Sequence, residues 1–258
     1  MLLYNLKKPL KMKKIIKKRV IPAGMVITLL LFAGVNQAQG QFWRSVSGSG
    51  DIVSEMRDLK GFDKIEAGGA VNLNISFGDQ WHVEVEADDN VIEYIDTRVR
   101  EQTLEIETTR TIRRSKVDVH VTLPELRKLN ASGAVNVSFN DPVEQNFISV
   151  KASGASNIKL TVNVEALEVH ASAASDITVE GTAYYAEVTA SGASNIRGAG
   201  FECVEADVRL SGASDMRAAI TDKVTGSLSG ASDLRIAGDP VVEVSTSGAS
   251  NVRTAKKR

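Results

Sequence analysis

From residue 129 to residue 253, apolar and polar positions alternate in short runs. Leu167-Glu168-Val169-His170, Ala186-Glu187-Val188-Thr189 and Val242-Glu243-Val244-Ser245 each put an apolar side chain at every second position. Alternation with β-branched residues predicts strands buried on one face, and no helical apolar period of ten residues competes with it. Between these runs one heptad recurs: Ala131-Ser-Gly-Ala-Val-Asn-Val137, then copies beginning at Ala152, Ala171, Ala190, Leu210, Leu228 and Thr246, most of them reading Ser-Gly-Ala-Ser-Asn/Asp. Its central position falls at 133, 154, 173, 192, 212, 230 and 248, with spacings of 21, 19, 19, 20, 18 and 18. A looser copy, Ala67-Gly-Gly-Ala-Val-Asn-Leu73, is centred on 69.

A strand-only repeat of this length predicts one coil of a parallel β-helix per copy, because a single coil buries nothing and stacking makes the core continuous. Columns then follow. Four residues after each centre stand Val137, Ile158, Ile177, Ile196, Met216, Leu234 and Val252; four before it stand Leu129, Val150, Val169, Val188, Val208, Gly226 and Val244. Both columns point inward in this reading, at a spacing of roughly 4.8 Å. The Ser-Gly-Ala-Ser stretch forms a tight corner in which Gly supplies an unusual φ. The Asn/Asp column (Asn136, Asn157, Asp176, Asn195, Asp215, Asp233, Asn251) is suited to a left-handed turn, or to a ladder of stacked amides.

Residues 41–128 read differently. They hold Trp43, Phe62, Phe77, Trp81 and Tyr94, with strands expected over 70–77, 81–87, 103–108 and 116–123. The first two flank a Gly78-Asp79 turn, and 89–99 is a candidate short helix. This portion is expected to make irregular early coils that cap the stack. The whole reading is an all-β chain: a right-handed parallel β-helix, a solenoid of about 18–21 residues per coil, with an irregular N-terminal portion over 41–128 and regular coils over 129–253.

Residues 1–40 form a separate unit. Lys11 to Arg19 are a basic n-region, residues 20–35 an apolar h-region, and cleavage is expected after Ala38 or Gly40, with either Met1 or Met12 as the start. This is the pattern of a secretory signal peptide. The apolar run holds Pro22 and Gly24 and is short for a membrane span of roughly 20 residues. The absence of Cys beside it argues against a lipid anchor. Residues 254–258 end in a basic tail. The expected location is therefore exported: periplasm, cell surface or secreted, with no membrane span after signal removal.

Charge sharpens this. The 258 residues carry 31 Lys+Arg against 32 Asp+Glu, a net charge of −1. Eight of the basic residues and none of the acidic ones lie in residues 1–40, so the remainder has 23 against 32, or −9. A nucleic-acid binder would show a net basic body. One cysteine, Cys203, excludes an intrachain disulfide framework and reads as a small buried hydrophobe.

The resemblance now becomes specific. Phe62-Asp63-Lys64-Ile65, the strand-turn-strand around Gly78, Thr122-Leu123-Pro124-Glu125-Leu126, the serial Ser-Gly-Ala-Ser-Asn/Asp copies and Ala237-Gly238-Asp239-Pro240 resemble the head GIN domain family of "putative auto-transporter adhesins", secreted proteins of Bacteroidetes-type bacteria. The likeness spans about residues 48–253. It implies a β-helix and an adhesin-like role, and no established activity. Unlike a true auto-transporter, the chain is expected to carry no membrane barrel after the repeats and no appended sorting domain.

Candidate chemistry is sparse. His82, His120 and His170 alternate with apolar neighbours and are expected to face outward (Trp81 and Val83 being the inward neighbours of His82). The repeated Ser lacks the strand-to-helix elbow of a nucleophile. No metal or cofactor is expected, since the Asp of the repeat exchanges with Asn and the nine-residue calcium repeat is absent. Two charged columns stand out. Five residues after the centre lie Lys159, Thr178, Arg197, Arg217, Arg235 and Arg253; five before it lie Ser149, Glu168, Glu187, Asp207, Thr225 and Glu243. A basic ladder at strand spacing is either a solvated face that discourages edge-to-edge pairing or a strip for an extended anion. Lys159, Arg197, Arg217, Arg235 and Arg253 are the candidate ligand-binding residues. The expected function is a non-catalytic envelope or surface module, adhesin-like or structural, whose partner is a polysaccharide, for instance an extended anionic glycan, or a surface protein. The alternative is a polysaccharide-acting β-helix lyase or hydrolase, which needs converging carboxylates or a His–carboxylate pair in a groove.

Overall fold

Alternation and β-branching give strands almost throughout the computed structural model, which describes residues 45–256. The expected leader, its cleavage points and the last two residues of the basic tail lie outside the described residues. The early strands are β1 (Val46–Ser47), β2 (Ile52–Met56), β3 (Lys64–Ala67), β4 (Asn72–Phe77), β5 (His82–Asp88), β6 (Ile95–Arg100), β7 (Thr103–Thr108), β8 (Ile112–Arg113) and β9 (Asp118–Leu123). The repeat supplies β10 (Lys128–Ala131), β11 (Asn136–Phe139), β12 (Val143–Ala152), β13 (Asn157–Ala171), β14 (Asp176–Ala190), β15 (Asn195–Leu210), β16 (Asp215–Leu228), β17 (Asp233–Ala237), β18 (Val241–Thr246) and β19 (Asn251–Ala255). The expected short helix is one 3-10 turn, Ile92–Tyr94.

Strands β10 to β19 pair in parallel, coil on coil, and equivalent repeat positions face each other. The chain is a parallel β-solenoid. Both inward columns are buried through the stack, from Leu129 to Val208 on one side and from Leu73 through Val137 to Leu234 on the other. The first column is already only partly buried at Gly226, and in the last coil Val244 and Val252 are partly buried while the neighbouring Val242 is exposed.

The corner has a definite construction. The central residue has φ between +73° and +89° at Gly69, Gly133, Gly154, Gly192, Gly212, Gly230 and Gly248. Stacking makes this position doubly demanding: a Cβ on Gly212 would lie 2.5 Å from the carbonyl oxygen of Gly192 in the neighbouring coil. Ala173 is the exception, with φ +62°. The N–H after each centre donates to the carbonyl of the neighbouring centre at 2.7 Å, except that Ala174 to Gly154 is 2.9 Å, beside that extra methyl. Two residues beyond the centre the side chain turns inward. Val71 and Val135 fill this place first, and then Ser156, Ser175, Ser194, Ser214 and Ser232, all buried. Each of these hydroxyls donates to the carbonyl of the serine three residues before it, at 2.8–2.9 Å. The left-handed conformation thus belongs to the glycine. The Asn/Asp residues instead open the strands, joined in places by side-chain bonds such as Asn195 Nδ2 to Asp176 Oδ1, 2.8 Å.

The early strands depart from the expected order. β4 and β5 do not form a hairpin about Gly78. β9 lies between them, parallel to β4 and antiparallel to β5. On the other side β3 pairs in parallel with both β7 and β10. The coil made of β3 and β4 is therefore enclosed between β7/β9 and β10/β11, although β7 and β9 follow it in sequence. Antiparallel strands then close this end: β2 on β5, and β6 on β7. A cap is present, as expected, but it comes from chain reversal, because antiparallel strands end a parallel stack without continuing it. Trp81, expected inward, is 40% exposed. It precedes β5 and its indole N–H donates to Phe62 O at 2.8 Å, with the ring tilted against that of Phe62.

Candidate functional site

The candidate cations occupy one column. Parallel register aligns Ser138 with Lys159, Lys159 with Thr178, Thr178 with Arg197, Arg197 with Arg217, Arg217 with Arg235, and Arg235 with Arg253. The strands that begin just after each corner carry it, alternating with the buried Ile158–Leu234 column, so the side chains face solvent. All five cations are exposed.

The expected acidic column does not neutralise them. Glu168, Glu187 and Asp207 lie on the strand segments before the corner and have their own side-chain partners there. Arg209 bridges Glu187 at 2.8 Å and Asp207 at 2.7 Å, and His170 Nε2 contacts Glu168 Oε1. Two of the cations instead meet the Asn/Asp column, Arg197 on the neighbouring strand and Arg235 two positions back on its own. Arg197 Nη2 lies 3.1 Å from Asp176 Oδ1, and Arg235 Nη2 lies 3.5 Å from Asp233 Oδ2. Among the described residues Lys159, Arg217 and Arg253 have no carboxylate within ion-pair distance. Arg217 stands between the two paired arginines, beside a register shift in which β15 bulges between Arg197 and Glu202. Gly198 permits that bulge, since a Cβ there would come within 2.7 Å of Arg217 O. Arg197, Arg217, Arg235, Asn195 and Asp215 line a hollow of about 250 Å³ at this point. Bulges of this kind re-aim side chains locally.

Towards the cap the same column changes character. Beyond Lys159 it continues through Ser138, Asn74 and His120, aligned across β11, β4 and β9. Beside it run Asn157, Asn136, Asn72 and Asp118. Together they line a hollow of about 710 Å³, bounded by Lys159 on one side and by Lys116, Glu86 and Asp118 on the other. Sequence reasoning named Lys159 and missed its neighbours. Asn74 and His120 come beside Ser138 only because coils distant in sequence adjoin. The looser heptad at 67–73 was the signal, since it aligns Asn72 with Asn136.

The histidines stand as expected, half-exposed on outward positions. A His–carboxylate pair exists at His170 and Glu168. The Glu168 carboxyl is held below its ordinary value, first by the hydrogen bond from His170 and also by the Ser149 hydroxyl. A nucleophilic triad needs the hydroxyl on the imidazole, whereas here it touches the carboxylate. Cys203 is buried, and burial pushes its thiol up to about 12. Among the described residues no three His, Cys, Asp or Glu side chains gather as a metal site, and no helix is long and apolar enough to cross a membrane.

The matching family model, described as "putative auto-transporter adhesin, head GIN domain", covers residues 61–240. The chain belongs to this family. Its fold is shared with the crystal structure of a putative adhesin from Bacteroides fragilis, at 20% identity, a TM-score of 0.74, and coverage of 81% of this chain and all of that one. A putative adhesin from Parabacteroides distasonis is similar at 22% identity and TM-score 0.68, covering 82% of this chain and all of its own. A putative lipid binding protein from the same species has 18% identity and TM-score 0.71, with coverage of 83% and 100%. No curated protein matches the chain. At these identities the likeness to solved structures establishes the head GIN solenoid alone.

Proposed function

We propose that this head GIN domain protein is an exported, non-catalytic, adhesin-like module of the cell envelope or surface. Its ligand is an extended anionic glycan, held along the solenoid axis by Lys159, Arg197, Arg217, Arg235 and Arg253. The observation that carries this reading is the register-aligned column of five exposed cations, of which Lys159, Arg217 and Arg253 have no ion-pair partner among the described residues. Guanidinium groups at strand spacing match carboxylate or sulfate substituents repeated along a chain, and Arg offers paired donors to each. The existing contacts to Asp176 and Asp233 are exposed and worth about 0–1 kcal/mol each, so a ligand displaces them at little cost. A solenoid face of this kind is long, rigid and open, which suits a linear polymer.

The test is the triple variant Arg197→Glu, Arg217→Glu, Arg235→Glu. The unmodified protein is expected to bind acidic polysaccharides or intact cell surfaces in a salt-sensitive manner, and the variant to lose that binding. Unchanged binding to every glycan and cell surface tested overturns the reading. Protease shaving of intact cells tests the location: digestion supports surface adhesion, and protection supports a periplasmic role.

A further inference from the structure

The hollow at the cap end of the column has a chemistry unlike the cationic strip. Its central stretch is made of short, uncharged side chains, with His120 beside Asn74 and Asp118 beside Asn72 towards the cap. Asn136 Nδ2 donates to Asn72 Oδ1 at 3.1 Å, and Asn72 Nδ2 donates to Asp118 Oδ1 at 3.0 Å. Ser138 Oγ donates to Asn74 Oδ1 at 2.9 Å. These bonds fix the amides, and among the described residues the Asn74 N–H₂, the Asn136 carbonyl oxygen and both ends of the Asn157 amide have no further partner. The hollow thus offers donors and acceptors side by side. A simple oxyanion uses donors only, whereas a ring of hydroxyl groups uses both.

Charge at the far wall makes the same choice. Asp118 is joined to Lys116 at 2.8 Å, and Glu86 faces Asp118 across the antiparallel pair of β5 and β9. An acidic substituent placed here would stand against these carboxylates. One step in the other direction it would meet Lys159, and further along the arginines. The column is therefore graded from neutral hydrogen-bonding groups at one end to guanidinium groups at the other. From Ser138 to Arg217 is four coil steps, about 19 Å at strand spacing. That separation admits several sugar units.

We propose that the hollow formed by Asn72, Asn74, Asn136, Ser138 and Asn157 is a subsite for an uncharged sugar unit. The ligand of the column is then a glycan in which neutral sugars are interspersed with acidic ones. This rests on the glycan reading above and narrows it: a uniformly charged polyanion gains from the arginines alone. The neutral subsite also sets the direction in which the polymer lies, with an uncharged stretch towards the antiparallel cap and acidic groups towards the last coil.

The experiment measures affinity for two probes, a hyaluronan decasaccharide, in which carboxylate-bearing and N-acetylated neutral sugars alternate, and dextran sulfate. Three proteins are compared: the unmodified chain, Asn157→Trp, which fills the hollow from an exposed strand start, and Asn74→Ala, which removes one donor. Circular dichroism establishes that each variant is folded. Asn157→Trp is expected to weaken hyaluronan binding at least about tenfold, as for one or two lost hydrogen bonds, and Asn74→Ala to weaken it severalfold. Dextran sulfate binding is expected to stay within about twofold for both. Equal weakening of both probes, or no change in hyaluronan binding in either variant, overturns the subsite. If those results came with loss of binding on charge reversal of the arginines, the strip would survive without the subsite. If the unmodified protein bound neither probe, the subsite and the strip would fall together.

Discussion

The side-chain amide of Asn136 donates to that of Asn72 at 3.1 Å, although 64 residues separate them. The pair marks where the coil of β3 and β4 meets the coil of β10 and β11. The intervening chain does not lie between them. It runs outward, builds the antiparallel strands and the β7/β9 coil on the far side, and returns. The hollow beside the cationic column exists because of that excursion.

The corner centre responds to a single methyl group. Gly212→Ala places a Cβ 2.5 Å from Gly192 O while φ is +76°, and is expected to destabilise the protein by at least about 2 kcal/mol. Ala173→Gly relieves the one strained corner, at φ +62°, and is expected to stabilise by up to about 1 kcal/mol. Urea denaturation midpoints check both, and opposite signs are the expected outcome.

The buried serines are structural. Ser214→Ala removes the bond to Ser211 O, 2.8 Å long, in a fully buried place, and is expected to cost about 1–2 kcal/mol. Thermal unfolding measures it. A loss of glycan binding at unchanged stability would contradict this assignment.

The Glu168 carboxyl is depressed below its ordinary value of 4.5, chiefly by the hydrogen bond with His170. A group whose folded pKa is lowered stabilises the fold fully above its unfolded value, and that contribution is lost as pH falls through the folded value. Glu168→Gln is therefore expected to leave the acid limb of the stability profile shallower below pH 4.5, with a smaller effect at neutral pH than at a buried pair. Chemical denaturation across pH 3–6 checks the slope.

Cys203 is expected to be inert in the folded protein, since its thiol is raised to about 12 and the thiolate is the reactive form. Labelling with a disulfide reagent at neutral pH should proceed only as fast as the chain opens. Fast labelling without denaturant would show that the β15–β16 region opens locally.

Much of the solenoid was legible because its rule is local and repeated. The spacing of the heptad gave the coil, alternation gave the inward columns, and Lys159 through Arg253 aligned as their positions implied. The cap was not legible. Nothing local in 82–88 says whether β5 pairs with β4 across the short connection at 78–81 or with β9 some thirty residues on, because either pairing can put Val83 and Val85 on the buried face. Which carboxylates reach the arginines was not legible for a similar reason: the column five residues before each centre is close in sequence, but the corner turns it onto another strand, and Asp176 and Asp233 are the ones within reach.

By itself, then, the amino-acid order determined the coil, the corner and the cationic column, since each depends on side-chain period and on glycine where no Cβ fits. Only the tertiary structure decided which coils adjoin at the cap, which carboxylates reach the arginines, and that Asn72, Asn74 and His120 stand beside Ser138. Strand pairing is set by the summed burial of the whole stack, and a strand's own residues specify its face but not its neighbour.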